Sequence, residues 1–224
     1  MDIKNITEYL AEFLTGRRKE LIDRILDNRS KYITVLMEDV YHSHNISAII
    51  RTCECCGVQD LHVVENKNAL GYNPMVLKGS DRWLDIHRYR SNETKAIVNA
   101  LHGLKSEGYR IVATSPHSGS VMPDMFDMES GPFVLVLGNE KTGISEEVSE
   151  KADVFIKIPM YGFTESFNVS VTAGILLSQM SYRLRQSNIA WNLSDSEKNR
   201  LRLQWYKNSV KDSEGLINRF LSGK

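Results

Sequence analysis

Cysteine is scarce. The 224-residue chain has three, Cys53, Cys55 and Cys56, and all of them crowd into one predicted helix. Their offsets scatter them around the helix axis instead of lining one face. No second Cys or Cys/His cluster exists to complete a four-ligand zinc site, so no metal is expected. The expectation is buried free thiols in a reducing cytosol. No apolar run approaches the roughly 20 residues needed to span a bilayer. Met1-Asp2-Ile3-Lys4 opens an amphipathic pattern with no signal-peptide apolar region, so a cytoplasmic location is expected. Asn-x-Ser/Thr triplets, including those at Asn45 and Asn168, then carry no meaning as glycan sites. An excess of one charge is also missing, with 28 basic residues against 28 acidic ones. That balance counts against a uniformly basic nucleic-acid binder.

The distribution of charge is less even than its sum. Residues 16–31 carry Arg17, Arg18, Lys19, Arg24, Arg29 and Lys31 against Glu20, Asp23 and Asp27. Residues 183–211 carry Arg183, Arg185, Lys198, Arg200, Arg202, Lys207 and Lys211 against Asp195 and Glu197. Local patches of this kind can bind phosphates even when the total cancels. Each run taken alone reads as a solvated helix face.

Familiar catalytic signatures are absent too. Gly138-Asn139-Glu140-Lys141-Thr142-Gly143 is followed by Ile144-Ser145, not the Lys-Ser/Thr of a P-loop, and no G-x-G-x-x-G follows a strand. The histidines are dispersed, with no Ser-His-Asp or metal constellation, and no internal repeat stands out.

What is present is an alternation of strand and helix patterns. Ile3, Ile6, Leu10 and Phe13/Leu14 keep a helical period, as do Leu21, Ile22, Ile25 and Leu26, with Gly16 between them. Strands are expected at about 34–40, 61–65, 85–89, 110–114, 133–137 and 154–158. Helices are expected at about 46–56, 95–107 and 168–185. Residues 66–83 are left unassigned as loop-like. Phe133–Leu137 is almost wholly apolar, as a central parallel strand should be. Ser145 is placed as the cap of a short acidic helix, and Ser194-Asp195-Ser196-Glu197 as a capping box opening a C-terminal helix. The pattern predicts an α/β fold with an open parallel sheet flanked by helices.

The most informative stretch is Ile158-Pro159-Met160-Tyr161-Gly162-Phe163-Thr164-Glu165-Ser166-Phe167-Asn168-Val169-Ser170-Val171. It reads as a strand end, a loop of small and polar residues, and the start of an apolar helix with Asn168 at the N-cap. Such a helix start offers free N–H groups and partial positive charge to a small polar ligand.

Two further segments join it: Asn45-Ile46-Ser47-Ala48-Ile49-Ile50-Arg51 and Gly138-Asn139-Glu140-Lys141-Thr142-Gly143. Together, in this order, the three resemble the signature motifs of the SPOUT superfamily, SpoU/TrmH branch. The resemblance runs from about Val35 to Arg185. Within the branch it is closest to the enzymes that methylate the D-loop guanosine of tRNA, a finer match carried by Glu38–Asn45.

The resemblance implies S-adenosylmethionine as methyl donor and a ribose 2′-hydroxyl of RNA as acceptor. It implies a deep trefoil knot in the last third of an α/β domain at residues 32–187. Residues 1–31 would be an N-terminal helical RNA-binding extension and 188–224 a C-terminal helical one. It also implies an obligate homodimer with tRNA as partner.

For the site, the resemblance places Arg51 against the target phosphate and ribose. A guanidinium stays protonated at any working pH, which favours phosphate gripping over a role as base. On its own Arg51 would read as a surface arginine on an amphipathic helix. Asn45 would orient Arg51 or the substrate, or be a plain N-cap. Glu140 would hold Arg51 or contact the nucleotide. Ser166 and Asn168 would lie near cofactor and ribose. Thr114, Gly138, Ile158, Met160 and Phe167 would line the cofactor pocket, and Arg17, Arg18, Lys19, Arg24, Arg183 and Arg185 would meet RNA. Relatives more often read Gln-Ser-Leu where this chain has Glu165-Ser166-Phe167. Two other readings stay open: ribosomal RNA or another tRNA site as substrate, and a non-catalytic RNA-binding factor on the same fold.

Overall fold

A computed structural model describes residues 3–66, 68–90, 95–115 and 119–222. Met1 and Asp2, where the N-terminal amphipathic pattern begins, and Lys67 of the unassigned segment lie outside the described residues. The chain divides into two units, one of Lys31–Trp191 and one of Met1–Ser30 with Asn192–Lys224. The terminal stretches that the sequence places at opposite ends thus form one body.

That smaller unit is helical. It contains α1 (Ile3–Ala11), α2 (Gly16–Leu26), α8 (Asp195–Ser209) and α9 (Ser213–Ser222). Thr15 caps α2 by accepting from the Arg18 amide. The expected capping box is formed at α8, with Ser194 and Glu197 bonding reciprocally. Ile6, Leu10, Ile22, Leu26, Leu201, Trp205 and Ile217 are buried. Asp23 pairs with Arg202 at 2.8 Å and Asp27 with Lys198 at 2.7 Å, so part of the basic run is neutralised locally.

The larger unit is built on a six-stranded parallel sheet in the order β3-β2-β1-β5-β4-β6. The strands are β1 (Ile33–Glu38), β2 (Asp60–Glu65), β3 (Asp85–Arg90), β4 (Arg110–Thr114), β5 (Phe133–Leu137) and β6 (Val154–Ile156). All of β5 is buried, and its apolar run fits a strand covered on both faces. The helices are α3 (Ser43–Cys55), α4 (Pro74–Leu77), α5 (Lys95–Ser106), α6 (Glu146–Lys151) and α7 (Val169–Gln186). On one sheet face α3 and α7 pack together over Val35, Met37, Leu135 and Leu137. On the other, α5 covers Leu36, Val134 and Val136.

Several expectations change. The segment 66–83 holds α4 and a 3₁₀ turn, Ser80–Trp83. The strand expected to reach Ile158 stops at Ile156. The α3 helix starts earlier than expected, with His42 at its cap, so Asn45 lies inside it and caps nothing. The three thiols are free, but only Cys53 is buried and Cys55 is exposed, as their scattered offsets require. Among the described residues no helix is long and apolar enough to cross a membrane, and no metal-binding cluster forms.

Candidate active site

Open α/β sheets hold ligands beyond the carboxyl ends of their strands. A cavity of about 940 Å³ lies there, beyond the ends of β4, β5 and β6. Thr114, Gly138, Ile158, Met160 and Phe167 all stand on its wall, as do Glu140, Ser166 and Asn168. The loop following β5, Gly138–Ser145, forms one side of the wall.

Gly138 starts that loop and has no room for a side chain. A Cβ there would fall 2.4 Å from the Gly143 carbonyl carbon and 2.5 Å from its oxygen. The loop is closed by reciprocal bonds, Asn139 N–H to Gly143 O and Gly143 N–H to Asn139 O, each 2.9 Å. Gly143 adopts φ 71°, a left-handed conformation that glycine takes without strain. The Asn139 side-chain oxygen accepts from Lys141 N at 2.9 Å and Thr142 N at 3.3 Å, which fixes the turn between them.

Glu140 leaves this turn and reaches back to the start of α3. Its carboxylate accepts from Tyr41 N at 2.9 Å, His42 N at 3.2 Å and the Asn45 carboxamide at 2.8 Å. It thereby satisfies main-chain donors at the start of α3, where no side chain of the cap residue does so. Burial works to raise the Glu140 carboxyl. The hydrogen bonds from Tyr41, Asn45 and His42 outweigh burial and hold its pKa below the usual carboxylate range.

The Asn45 oxygen in turn accepts from Asn168 Nδ2 at 3.2 Å. Asn168 caps α7, accepting from Ser170 N at 2.8 Å. Glu140, Asn45 and Asn168 therefore form one hydrogen-bonded chain that joins the three motifs. Motif residues far apart in sequence meet because β1 and β5 are neighbours and α3 packs on α7.

Arg51 takes no part in that chain. It is exposed on α3, and among the described residues its guanidinium donates to the Val76 carbonyl at 3.4 Å. Neither Glu140 nor Asn45 holds it. Ser166 is exposed at the cavity.

The residues expected to meet RNA divide. Arg17 and Arg24 are exposed on α2, Lys19 is half-buried, and Arg18 donates to Ser209 Oγ at 3.2 Å. The guanidinium of Arg183 is turned onto the Pro123 and Phe126 carbonyls. That of Arg185 donates to Cys56 O at 3.0 Å and Ser181 O at 2.9 Å and stacks on Trp191. The bonds of Arg183 and Arg185 brace the 123–126 segment and the end of α3.

Sequence reasoning missed Lys157 and Thr172, which also line the cavity. Their only signal was position: Lys157 directly follows β6, and Thr172 lies in the first turn of α7. It also missed the two amides that Glu140 binds, which belong to Tyr41 and His42 whatever their side chains.

The family described as the SpoU rRNA Methylase family matches residues 32–178. The chain belongs to that family. It is 40% identical over 212 residues to the tRNA (guanosine(18)-2′-O)-methyltransferase of Borreliella burgdorferi, covering 93% of this chain and 94% of that one. Against the enzyme of the same name from Aquifex aeolicus it is 35% identical over 219 residues, with 95% and 99% covered. A crystal structure of the Aquifex aeolicus TrmH/SpoU tRNA modifying enzyme superposes with a TM-score of 0.75 at 34% identity, covering 88% of this chain and 98% of that one. The SpoU methyltransferase AviRb of Streptomyces viridochromogenes, in complex with AdoMet, superposes at 0.59 with 25% identity, covering 74% and 62%.

Proposed function

We propose that this chain transfers a methyl group from S-adenosylmethionine to the ribose 2′-hydroxyl of the D-loop guanosine at position 18 of tRNA. One observation carries the reading. The Gly138-walled cavity abuts the Glu140–Asn45–Asn168 chain, with Arg51 exposed on the same helix as Asn45. The near-full-length likeness to the guanosine(18) enzymes selects the substrate.

The residues present fit the cofactor. The cavity falls in the range of small-molecule sites. The Gly138–Gly143 turn lines it, closed so tightly that a Cβ at Gly138 would strike the Gly143 backbone. Ile158, Met160 and Phe167 offer apolar surface for a base. Bound there, S-adenosylmethionine supplies a methyl already activated by sulfonium charge.

The protein's part is alignment and proton handling. Alignment of reacting groups can contribute about 7–11 kcal/mol in favourable cases. Glu140 stays ionised at neutral pH and fixes the Asn45 carboxamide, which fixes Asn168 at the start of α7. Arg51 grips the phosphate next to the target ribose and polarises the hydroxyl, whose proton leaves to solvent as the oxygen takes the methyl. Ser166 contacts the ribose from the cavity mouth.

Four broader features belong to the same proposal. Exposed Arg17 and Arg24 on α2, with Arg18 and Lys19 beside them, meet tRNA phosphates. Two copies associate, supported by exposed Tyr161, Phe163, Val171 and Tyr182 along the loop before α7 and on α7 itself. The last third of the α/β unit is knotted. In support, β6 lies between β4 and a bridge to Val121, after which the chain returns so that α7 packs on α3. The enzyme works in the cytoplasm, where tRNA is processed.

The test is transfer of labelled methyl to two tRNA transcripts, one unmodified and one carrying 2′-deoxyguanosine at the D-loop position. Label in the first and none in the second is expected. Equal labelling of both would overturn the proposal.

A further inference from the structure

A residue six positions before motif one stands in an unusual place. Asp39 follows β1 and adopts φ 51°, a left-handed conformation that costs a non-glycine residue energy and that Asp and Asn tolerate best. Its amide extends the β1–β2 ladder by donating to Val64 O at 3.0 Å. Its carbonyl then turns away and accepts twice, from Asn139 Nδ2 at 2.7 Å and from Asn68 Nδ2 at 3.1 Å. Its carboxylate accepts from Asn68 N at 2.8 Å. One residue therefore touches both the turn that walls the cofactor cavity and the beginning of the loop that leads to α4.

That second loop leads into α4, where the Val76 carbonyl accepts from the Arg51 guanidinium at 3.4 Å. Asn68 is tied to Asp39, Leu70 N donates to Glu65 at 2.6 Å, and Asn73 N donates to Ser47 Oγ on α3 at 2.7 Å. Asn73 caps α4, and Val76 within α4 accepts from Arg51. Glu65 is itself fixed by Arg88 and Arg90. The Glu65 and Ser47 anchors each serve the loop alone. Asp39 is the anchor that also reaches Asn139, whose oxygen shapes the Glu140 turn.

Resting on the methyl-transfer reading above, we propose that Asp39 is a positioning residue that sets the loop leading to α4, whose Val76 carbonyl accepts from Arg51, and the cofactor loop in one register. It touches neither substrate nor cofactor. A left-handed Asp at this point is how the main chain turns its carbonyl towards both loops, and strain of this kind persists where the surroundings over-determine it. Misplacement of a positioning group by about 1 Å can cost about a hundredfold in rate.

Asp39→Gly keeps the left-handed backbone without strain and removes the carboxylate, and with it the bond from Asn68 N. Asp39→Asn keeps both. In Asp39→Gly, kcat for tRNA methylation is expected to fall about tenfold or more. Its S-adenosylmethionine affinity should stay within about threefold of wild type and its melting temperature should not drop. Asp39→Asn should restore most of kcat. Hydrogen exchange should speed up in peptides covering 68–77 in the Gly variant and not in the Asn variant. Unchanged kcat in Asp39→Gly, a parallel loss of cofactor affinity, or failure of Asn to rescue would overturn the proposal. If wild type methylates no tRNA, the reading above fails by itself. The exchange measurement then decides the tether: acceleration confined to the Gly variant upholds it, and equal exchange in both variants overturns it.

Discussion

Arg51 shows how far a residue's place in a motif outruns its contacts. It is exposed and, among the described residues, bonded only through a long contact to Val76, so nothing in its packing marks it. An arginine free to close on a phosphate needs such a place. Arg51→Ala should lower kcat/KM about a hundredfold or more, since removing a single transition-state donor costs about that much. S-adenosylmethionine affinity should stay within about threefold by calorimetry, and equal loss of both would remove Arg51 from the chemistry.

Asn45 illustrates the opposite case. A helix-start position reads as a cap, but the helix begins earlier and the side chain is buried between Glu140 and Asn168. Those partners lie about a hundred residues away in sequence. Local pattern cannot show such a partnership, and the resemblance set Asn45 beside Arg51 or the substrate, not between Glu140 and Asn168.

A residue outside the site carries the pH dependence. His62 on β2 is buried, and burial first, then the His87 ring stacked 4.7 Å away, push its pKa down from 6.5 to about 4. Between those values the unfolded chain binds a proton that the folded His62 refuses. Its contribution to stability is therefore whole above pH 6.5 and is lost as pH falls towards 4. His87, raised chiefly by its hydrogen bond to Asp60, contributes with the opposite sign, below 6.5. His62→Gln should flatten the fall in denaturant midpoint between pH 6.5 and 4, and superimposable curves would contradict this.

Among elements, legibility followed length and local chemistry. Ser145, Asn168 and Ser194 cap α6, α7 and α8 as their sequences indicate, because a cap is a local bond. The apolar run of β5 announced a central strand for a similar reason. The short pieces did not announce themselves. Helix α4 has four residues, and tertiary bonds to Ser47 and Arg51 help to hold it. β6 stops at Ile156, and Lys157 and Ile158 beyond it continue as cavity wall. Ser194→Ala removes one half of a capping box and should cost about 1 kcal/mol in denaturant unfolding. A loss under a few tenths would mean that α8 is held by its buried Leu201 and Trp205 alone.

At the scale of the molecule, zero net charge hid a division of labour. The basic run near the C-terminus is partly consumed by Asp23 and Asp27, and Arg183 and Arg185 are spent on carbonyls. Arg17 and Arg24 remain exposed on α2. No count of charges could separate these groups, because the pairing depends on the two chain ends folding into one unit. The Arg17→Ala, Arg24→Ala double variant should weaken tRNA binding across sequences and reduce the slope of log affinity against log salt by about 2. An unchanged slope would place the RNA surface elsewhere.

The most direct measurement is methyl transfer from labelled S-adenosylmethionine to unmodified tRNA and to ribosomal RNA in parallel, with nuclease mapping of the product. The account predicts label in tRNA, on the 2′-oxygen of the D-loop guanosine. Label confined to ribosomal RNA, or to another tRNA position, would contradict it.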